Sequence, residues 1–287
     1  MSGPTRPVTA TLAEATARLQ AAGVASPRVD AELLLAHCLD APRSRLRTLD
    51  HLAAADEAVF GDLVARRAAR EPLQHIVGHA PFRHLEVAVG PGVFVPRPET
   101  ELLVDAVLDG LRATAEPVVV DLCAGSGAIA LSIAQELPGS RVYAVEKDDT
   151  ALTWLRRNAE GTTVTTVAAD VTDPALLANL RGSVDAAVSN PPYVPAGTAV
   201  EPEVHADPAV AVFAAADGMA VIVAVVARAA ELLKAGGLLV IEHDDTQGEA
   251  VPALLDGDGH WRDVADRDDL TGRPRYVLAR RREIDGD

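Results

Sequence analysis

The chain has 287 residues, of which 48% are hydrophobic, and its 42 acidic against 26 basic side chains give a formal net charge of −16. This length and apolar fraction supply enough core for one large domain or two unequal ones, and they exclude collagen, coiled coils and wholesale disorder. The sequence contains no run of about 18 apolar residues, no signal-peptide pattern and only two cysteines. We therefore expect a cytoplasmic protein without a membrane span, a disulfide scaffold or a metal site.

The negative charge is unevenly distributed along the chain. Residues 1–80 hold nine basic and nine acidic side chains, whereas residues 81–287 hold 17 basic and 33 acidic ones. Binding to a phosphate backbone depends on its neutralisation by lysines and arginines. The acidic region therefore argues against direct nucleic-acid binding.

The first 80 residues predict a helical domain. Thr11 can cap a first helix that ends at Gly23, and Pro27 stands at the first position of a second helix. A third helix is expected over residues 56–70.

Residues 81–98 predict a β-hairpin linker between two domains. Apolar strands at 85–89 and 93–95 flank the turn residues Gly90-Pro91-Gly92, which is a typical hairpin pattern.

From residue 99 to residue 287, helix and strand patterns alternate. Strands are expected at 118–122, 141–145, 164–168, 184–189, 238–242, 261–265 and 275–279. Helices are expected at 99–111, 128–137, 149–159, 174–180, 219–233 and 247–255. Apolar strands separated by helices indicate an α/β domain with a parallel sheet covered on both faces.

A glycine-rich loop, Cys123-Ala124-Gly125-Ser126-Gly127, follows the first of these strands and opens the next helix. Its glycines allow a sharp turn and a close approach of the backbone to a ligand. Since open α/β sheets bind ligands beyond the carboxyl ends of their strands, we expect a nucleotide or nucleoside site here. Cys123 would also allow a nucleophile, but no histidine is spaced to activate it, so we interpret it as a small buried residue.

Two acidic residues extend this site to the next strands. Glu146 ends the second strand, 19 residues after Gly127, and we expect its carboxylate to accept hydrogen bonds from ribose hydroxyls. Asp170 follows the third strand, and by the same argument we expect it to accept a hydrogen bond from an adenine amino group.

The segment after the fourth strand, Asn190-Pro191-Pro192-Tyr193, decides against the dinucleotide enzyme that a G-x-G-x-x-A loop would also allow. Two prolines fix the backbone and lack N–H donors, so nearby carbonyls are free to accept hydrogen bonds. The side-chain oxygen of Asn190 also accepts, and the Tyr193 ring can stack on a flat group. This combination suits a planar NH2 group as the substrate.

These motifs resemble the release-factor glutamine methyltransferases (HemK/PrmC family). The resemblance covers nearly the whole chain in order and rests on segments 26–36, 72–78, 95–101, 190–193, 203–204, 217–218, 242–247 and 269–275. It implies a class I, Rossmann-like S-adenosylmethionine-dependent methyltransferase sheet with a small N-terminal helical domain. The chain departs from the family's pattern at Cys123 and Ala124, which replace Gly-Thr, and at Asp207 and Asp244, which replace Glu and Gly.

The resemblance implies methylation of the side-chain amide nitrogen of the glutamine in the Gly-Gly-Gln motif of peptide-chain release factors, with S-adenosyl-L-methionine as the donor. It makes Asn190, Pro191 and Tyr193 catalytic, with Pro192 beside them in the substrate site. The implied cofactor-binding residues are Cys123, Ala124, Gly125, Ser126, Gly127, Glu146, Asp170, Val171 and Asn190. The helical domain would bind the release factor.

Three other functions stay open from the sequence. An adenine-N6 DNA methyltransferase could use the same Asn-Pro-Pro-Tyr segment, although the net charge and the lack of a target-recognition domain weigh against it. A glutamine methyltransferase acting on a ribosomal protein is another close alternative. A catalytically idle nucleoside-binding module is a further alternative, against which Asn190 and Tyr193 speak.

Overall fold

We describe a computed structural model of the chain over residues 6–195, 197–198, 200, 202–214 and 218–283. The chain divides into two compact units, one of Met1–His79 with Glu201–Ala206 and the other of Ala80–Val200 with Asp207–Asp287. A short segment beyond the Asn-Pro-Pro-Tyr motif therefore belongs to the helical unit, although the sequence pattern alone assigns it to the methyltransferase domain.

The first unit consists of helices around an apolar core. Its elements are β1 (Arg6–Pro7), α1 (Val8–Ala21), α2 (Pro27–Cys38), β2 (His51–Leu52), α3 (Ala54–Ala68) and α4 (Leu73–Val77). The three expected helices are confirmed, but the predicted Thr11 cap is wrong. Helix α1 begins at Val8, directly after Pro7, and the Thr11 hydroxyl donates to the Pro7 carbonyl at 3.3 Å. A proline immediately before a helix has the restricted backbone that allows this earlier start.

The second unit is built on one large sheet. The strands that follow β2 are β3 (His79–Phe82), β4 (Leu85–Ala88), β5 (Val118–Leu122), β6 (Arg141–Glu146), β7 (Thr165–Ala168), β8 (Val184–Ser189), β9 (Val194–Pro195), β10 (Phe213–Ala214), β11 (Leu233–Glu242), β12 (Trp261–Asp268) and β13 (Pro274–Arg281). The helices are α5 (Glu101–Leu111), α6 (Ala128–Glu136), α7 (Asp149–Ala159), α8 (Ala209–Val212), α9 (Ala220–Leu232) and α10 (Ala250–Asp258). Seven strands form a sheet in the order β12-β13-β11-β8-β5-β6-β7. The strands from β11 to β7 are parallel, whereas β13 is antiparallel to both of its neighbours.

Helices cover both faces of this sheet, as the sequence predicts. Val119 packs into a core with residues of α5, α6 and α7, while Val118 and Val120 pack on the other side with residues of α9 and α10. Successive side chains of a strand point to opposite faces, so a strand with apolar residues at every position must be buried on both.

The expected hairpin lies at other residues than predicted. Strands β3 and β4 pair about a turn at Arg83, whose φ is 52°, and residues 93–95 form no strand. Gly90 is needed for packing instead, since a Cβ there would lie 2.6 Å from the ring of Trp154 on α7. The Gly-Pro-Gly segment therefore packs closely against α7 and does not form a hairpin turn.

Two predicted helices also differ. Residues 174–180 contain only a 3-10 turn at Ala178–Leu180, because Leu177 before it has a left-handed φ of 47°. The helix expected at 247–255 begins at Ala250, after a 3-10 turn capped by the Asp244 side chain. Within the described ranges, no helix is long and apolar enough to cross a membrane.

Candidate functional site

The glycine loop and the Asn-Pro-Pro-Tyr segment leave neighbouring strands at the same level. Leu122, the last residue of β5, is paired in register with Ser189, the last residue of β8. The Ser189 hydroxyl donates to the Leu122 carbonyl at 2.5 Å. Because the two strands are parallel, both segments begin at the same edge of the sheet.

The glycine loop has the backbone that its glycines predict. Gly125 and Gly127 have φ values of 55° and 86°, in the left-handed region. A Cβ on Gly127 would lie 2.5 Å from Leu155, whereas nothing lies within 4 Å of the Cβ position of Gly125. Gly127 is therefore required for packing, and the space beside Gly125 is open to a ligand.

Cys123, which stands where the family pattern has a glycine, adopts an unfavourable backbone conformation. Its φ is 66°, in the region that favours glycine, so a side chain is held there under backbone strain. Burial, together with the carboxylates of Glu146 and Asp121, raises the pKa of the Cys123 thiol to about 12. A thiol that stays protonated at neutral pH is a poor nucleophile, which argues against the nucleophile interpretation. The side chain packs against the core but is only partly buried, whereas the sequence analysis expected a buried residue.

Glu146 is buried at the end of β6 and holds the glycine loop directly. One carboxylate oxygen accepts from the Gly125 N–H at 2.9 Å, and the other accepts from the N–H groups of Lys147 and Asp148, each at 2.8 Å. These bonds fix the orientation of the carboxylate. Each carboxylate oxygen has two acceptor sites, so capacity for a ligand hydroxyl remains.

Asp170 stands two residues beyond β7, near the carboxyl end of the strand next to β6. One of its oxygens accepts from the backbone and hydroxyl of Thr172, at 2.9 and 2.7 Å, and the other lies 3.5 Å from the Lys147 ammonium. The bonds from Thr172 and the charge of Lys147 lower the pKa of Asp170. Val171 beside it is buried in the core under α9.

Thr100 and Glu242 hold two members of the Asn-Pro-Pro-Tyr segment by their side chains. The Asn190 amide nitrogen donates to the Thr100 hydroxyl oxygen at 3.1 Å, and the Tyr193 hydroxyl donates to Glu242 Oε1 at 2.9 Å. Gln247 donates from Nε2 to the Tyr193 carbonyl at 3.2 Å. The segment is therefore fixed from three different elements of the second unit.

Glu242 is fully buried, and Tyr193 beside it is partly buried. Burial raises the pKa of Glu242 to about 7, although the hydrogen bond from Tyr193 and the charge of Arg275 act to lower it. Burial and the Glu242 charge raise the pKa of the Tyr193 hydroxyl as well. Tyr193 is therefore a hydrogen-bond donor at neutral pH and not a base.

Two residues of the site region were not predicted in these roles. Asp121 is fully buried in β5, where Oδ2 accepts from the Ala130 N–H at 3.1 Å while Oδ1 has no hydrogen-bond partner among the described residues. The Asn158 amide on α7 donates to the carbonyls of Ala88 and Ser126, at 2.9 and 3.0 Å, and so ties β4 to the glycine loop. No local pattern marks Asn158, because its partners lie 70 and 32 residues away.

Other segments of the family resemblance have structural partners. Asp207 accepts from Arg97 at 2.7 Å, and Asp244 caps the 3-10 turn before α10. Asp217 lies outside the described residues. Gly218 has a φ of 74°, and a Cβ there would lie 2.1 Å from the Tyr193 carbonyl oxygen, so only glycine allows this approach to the segment.

Comparisons with known protein families match both parts of the chain. The PrmC N-terminal domain family matches residues 10–78, and the methyltransferase small domain family matches residues 84–207. These matches, made on the sequence, agree with a helical unit followed by a class I methyltransferase sheet.

Individual proteins are similar over most of the chain. The release factor glutamine methyltransferase of Mycolicibacterium smegmatis is 54% identical over 269 residues, covering 93% of this chain and 95% of its own length. A 4-amino-L-phenylalanine/4-methylamino-L-phenylalanine methyltransferase of Streptomyces pristinaespiralis is 41% identical over 265 residues, covering 89% of each. The crystal structure of a T. thermophilus 16S rRNA N2 G1207 methyltransferase, in complex with AdoMet and guanosine, matches 71% of this chain and 50% of its own, with a TM-score of 0.50 and 22% identity, which supports the fold alone.

Proposed function

Because the chain belongs to the release factor glutamine methyltransferase family, we propose that it transfers a methyl group from S-adenosyl-L-methionine to a side-chain amide nitrogen of a release factor glutamine. The family and the activity are those that the sequence motifs predict. We further propose that the acceptor is the glutamine of the Gly-Gly-Gln motif. One observation carries the proposal of methyl transfer. The glycine loop follows Leu122 of β5 and Asn190-Pro191 follows Ser189 of β8, and these two strand ends are paired in register.

The residues around the glycine loop fit a cationic nucleoside ligand. Open space beside Gly125 and an unpartnered oxygen of buried Asp121 provide room and a polar group. The Glu146 carboxylate is bonded to the Gly125 N–H of the loop, and its negative charge favours a positively charged sulfonium group. In this proposal the free acceptor site of Glu146, on the oxygen bonded to Gly125, receives a ribose hydroxyl. Asp170 and Val171 contact the adenine, and residues 123–127 line the remainder.

An amide nitrogen is a weak nucleophile because its lone pair is delocalised into the carbonyl. We expect the Asn190 side-chain oxygen and the Pro191 carbonyl to accept the two hydrogens of the substrate amide. These bonds orient the nitrogen, and they become stronger as positive charge develops on it. Holding two reactants in line can lower a barrier by about 7–11 kcal/mol at best.

When it is bound, S-adenosyl-L-methionine supplies an electrophilic methyl group on a positively charged sulfur. The substrate nitrogen would gain a bond to this methyl carbon while the carbon–sulfur bond breaks with its electron pair left on sulfur, so that S-adenosyl-L-homocysteine leaves as a neutral thioether. The nitrogen would then lose one hydrogen as a proton to water. Tyr193, with its hydroxyl held by Glu242, confines the plane of the substrate amide, and Pro192 fixes the backbone between them. The chain needs no general base for this chemistry, since the nitrogen loses its proton readily once it is alkylated.

Binding of the release factor is assigned in this proposal to the helical unit. That unit contains Glu203, which lies ten residues beyond Tyr193 in the sequence. Glu203 forms ion pairs with Arg67 and Arg70 at 2.8 and 2.5 Å. A short stretch of chain would thus connect the helical unit, which binds the release factor in this proposal, to the Asn-Pro-Pro-Tyr segment. A cytoplasmic location and the absence of direct nucleic-acid binding remain predictions.

The experiment is incubation of the full-length protein with methyl-labelled S-adenosyl-L-methionine and a release factor, followed by mass spectrometry of the modified peptide. We expect one methyl group on the glutamine of the Gly-Gly-Gln motif and none when that glutamine is replaced by alanine. Methylation only of a ribosomal protein, of DNA adenine or of 4-amino-L-phenylalanine would contradict the proposal. The last acceptor is included because of the Streptomyces relative.

Single variants test the proposed roles. Asn190→Ala should lower kcat by about 100-fold, as removal of one preorganised hydrogen-bonding group does in other enzymes. Asn179→Ala is the matched control, because Asn179 is exposed in the turn between β7 and β8, and it should leave kcat unchanged. Glu146→Ala should weaken S-adenosyl-L-methionine binding, and unchanged affinity would exclude the ribose assignment.

A further inference from the structure

Asn158 on α7 bonds to three backbone groups through a single carboxamide. Its Oδ1 accepts from the Ala88 N–H at 3.0 Å, and its Nδ2 donates to the carbonyls of Ala88 and Ser126, at 2.9 and 3.0 Å. A side-chain NH2 group has two hydrogens, so both are committed to these carbonyls. The reversed carboxamide would place its oxygen against two acceptors and its NH2 group against a donor. The partners of Asn158 therefore fix the orientation of its side chain.

The bond to Ser126 holds one peptide unit of the glycine loop. The Ser126 carbonyl and the Gly127 N–H belong to the same planar peptide unit and point in opposite directions from it. The carbonyl accepts from Asn158, and the N–H donates to the Ala124 carbonyl at 2.8 Å. This peptide unit is therefore held on both sides.

A second peptide unit of the loop is held in the same way. Its Ala124 carbonyl accepts from the Gly127 N–H, and its Gly125 N–H donates to Glu146 at 2.9 Å. Between the two held units lies a third, made of the Gly125 carbonyl and the Ser126 N–H, and neither of these groups bonds to another described residue. The polar groups of this middle unit remain for a ligand, and their position depends on the two units that flank it.

Asn158 is also one of three residues with which α7 holds the segment that follows β4. Thr150, Trp154 and Asn158 are spaced by four residues, which places them on one face of the helix. Trp154 donates from Nε1 to the Pro91 carbonyl at 3.3 Å, and a Cβ on Gly92 would lie 2.3 Å from the Thr150 side chain. Within the described residues, Asn158 is the one of the three that also bonds to the glycine loop. Trp154 therefore provides a control that weakens the same helix–segment contact and leaves the bond to the loop in place.

We propose that Asn158 is a positioning residue for S-adenosyl-L-methionine, which it serves by holding the Ser126–Gly127 peptide unit and so fixing the middle unit of the loop where it binds the cofactor. Glu146 holds the flanking unit on the other side. The middle unit is thus fixed from β6 through one side chain and from α7 through another.

The place of the loop makes the effect of Asn158 selective for one part of the cofactor. In the proposed function, on which this inference rests, Glu146 binds the ribose and Asp170 and Val171 contact the adenine. The amino-acid part of the cofactor is then left to residues 123–127. Loss of the Asn158 carboxamide should weaken binding of S-adenosyl-L-methionine. Binding of 5′-methylthioadenosine, which lacks the amino-acid part, should stay almost unchanged.

The test measures the equilibrium binding of both ligands to the full-length protein by isothermal titration calorimetry. Asn158→Leu replaces the carboxamide by an apolar group of similar shape. It should raise the Kd of S-adenosyl-L-methionine by about 10-fold, the order expected for a lost hydrogen bond, and that of 5′-methylthioadenosine by less than about twofold. Trp154→Phe, the matched control, removes the bond to the Pro91 carbonyl and should leave both Kd values within about twofold of the wild type.

Three binding results would overturn the inference. They are equal weakening of both ligands in Asn158→Leu, an unchanged Kd of S-adenosyl-L-methionine in that variant, and the same selective loss in Trp154→Phe. Hydrogen exchange of the ligand-free protein gives a second readout. The amides of residues 123–131 should exchange faster in Asn158→Leu than in the wild type and unchanged in Trp154→Phe, and wild-type exchange in Asn158→Leu would also overturn the inference.

If Asn158→Leu does not fold, Asn158→Asp replaces it, because a carboxylate still accepts from the Ala88 N–H but cannot donate to the Ser126 carbonyl. A wild-type ratio of the two Kd values in Asn158→Asp would overturn the inference.

The wild-type protein is measured first, both for cofactor binding and for methylation of the release factor glutamine. Methylation by the wild type, with unchanged Kd values in the Asn158 variants, contradicts the role of Asn158 alone. A wild type that binds S-adenosyl-L-methionine without methylating the glutamine contradicts the proposed function, and the Kd comparison still decides the role of Asn158. A wild type that does not bind S-adenosyl-L-methionine contradicts both.

Discussion

Arg97 and Asp207 form an ion pair 2.7 Å long in which the side chain of Asp207 is completely buried. Asp207 also accepts from the Val95 N–H at 3.3 Å, so this carboxylate joins the segment before α5 to the segment before α8. Burial raises the pKa of Asp207 to about 6, while the Arg97 charge acts to lower it. The pair is therefore fully ionised only above about pH 6.

We expect Arg97→Met to be more destabilising at pH 8 than at pH 5. At pH 8 the variant leaves a buried, unpaired carboxylate, at a cost of about 3 kcal/mol in the free energy of unfolding. At pH 5 Asp207 is already protonated in the folded protein, and the cost should be smaller. Urea unfolding at both pH values measures the difference. Asp207→Asn in the same background should abolish it, and a pH-independent loss would exclude a charge-based cause.

Asp121→Asn should change how stability depends on pH. Burial, and to a lesser extent the charge of Glu146, raise the pKa of Asp121 to about 8 from an ordinary value of 3.8. Folding therefore takes up a proton between about pH 4 and pH 8, and stability falls as the pH rises through this window. Each unit of pKa difference corresponds to about 1.4 kcal/mol. Denaturant unfolding from pH 5 to pH 8 should show a shallower decline for Asp121→Asn, and an identical slope would contradict burial of the charge.

Arg67 and Arg66 are adjacent on α3 but differ in burial. Arg67 is 8% exposed and pairs with Asp30 at 2.7 Å, whereas Arg66 is 45% exposed and pairs with Glu71. Arg67→Met should lower the free energy of unfolding by about 3 kcal/mol, because the partly buried Asp30 loses its counter-charge. Arg66→Met, the matched control, should change it by no more than about 0.5 kcal/mol. Equal effects of the two substitutions would show that burial of the pair is unimportant.

Cys123 should react slowly with alkylating agents. With a pKa of about 12, its thiolate fraction at pH 8 is far below that of an ordinary cysteine, so we expect iodoacetamide to modify it more than ~100-fold more slowly than a small free thiol. Peptide mass spectrometry at timed intervals measures the rate for this position alone. Rapid modification would indicate an activated nucleophile and reopen that interpretation.

Much of the second unit was predictable from local pattern. The strands at 118–122 and 184–189 have the predicted bounds because runs of apolar residues without polar alternation specify strands buried on both faces. The glycine loop and the Asn-Pro-Pro-Tyr segment each follow such a strand. Because parallel strands end at one edge of a sheet, their order along the chain was enough to bring them to the same edge.

The sequence by itself thus determined the sheet, the family and the residue types at the candidate site. Only the tertiary structure decided which side chains orient them. Thr100 meets Asn190 across 90 residues, and Glu242 meets Tyr193 across 49. Such pairs depend on the three-dimensional approach of different elements, and no periodicity or spacing records that approach. The same reason explains the hairpin error, since the glycine at 90 is required by the Trp154 ring, a neighbour only in the folded chain.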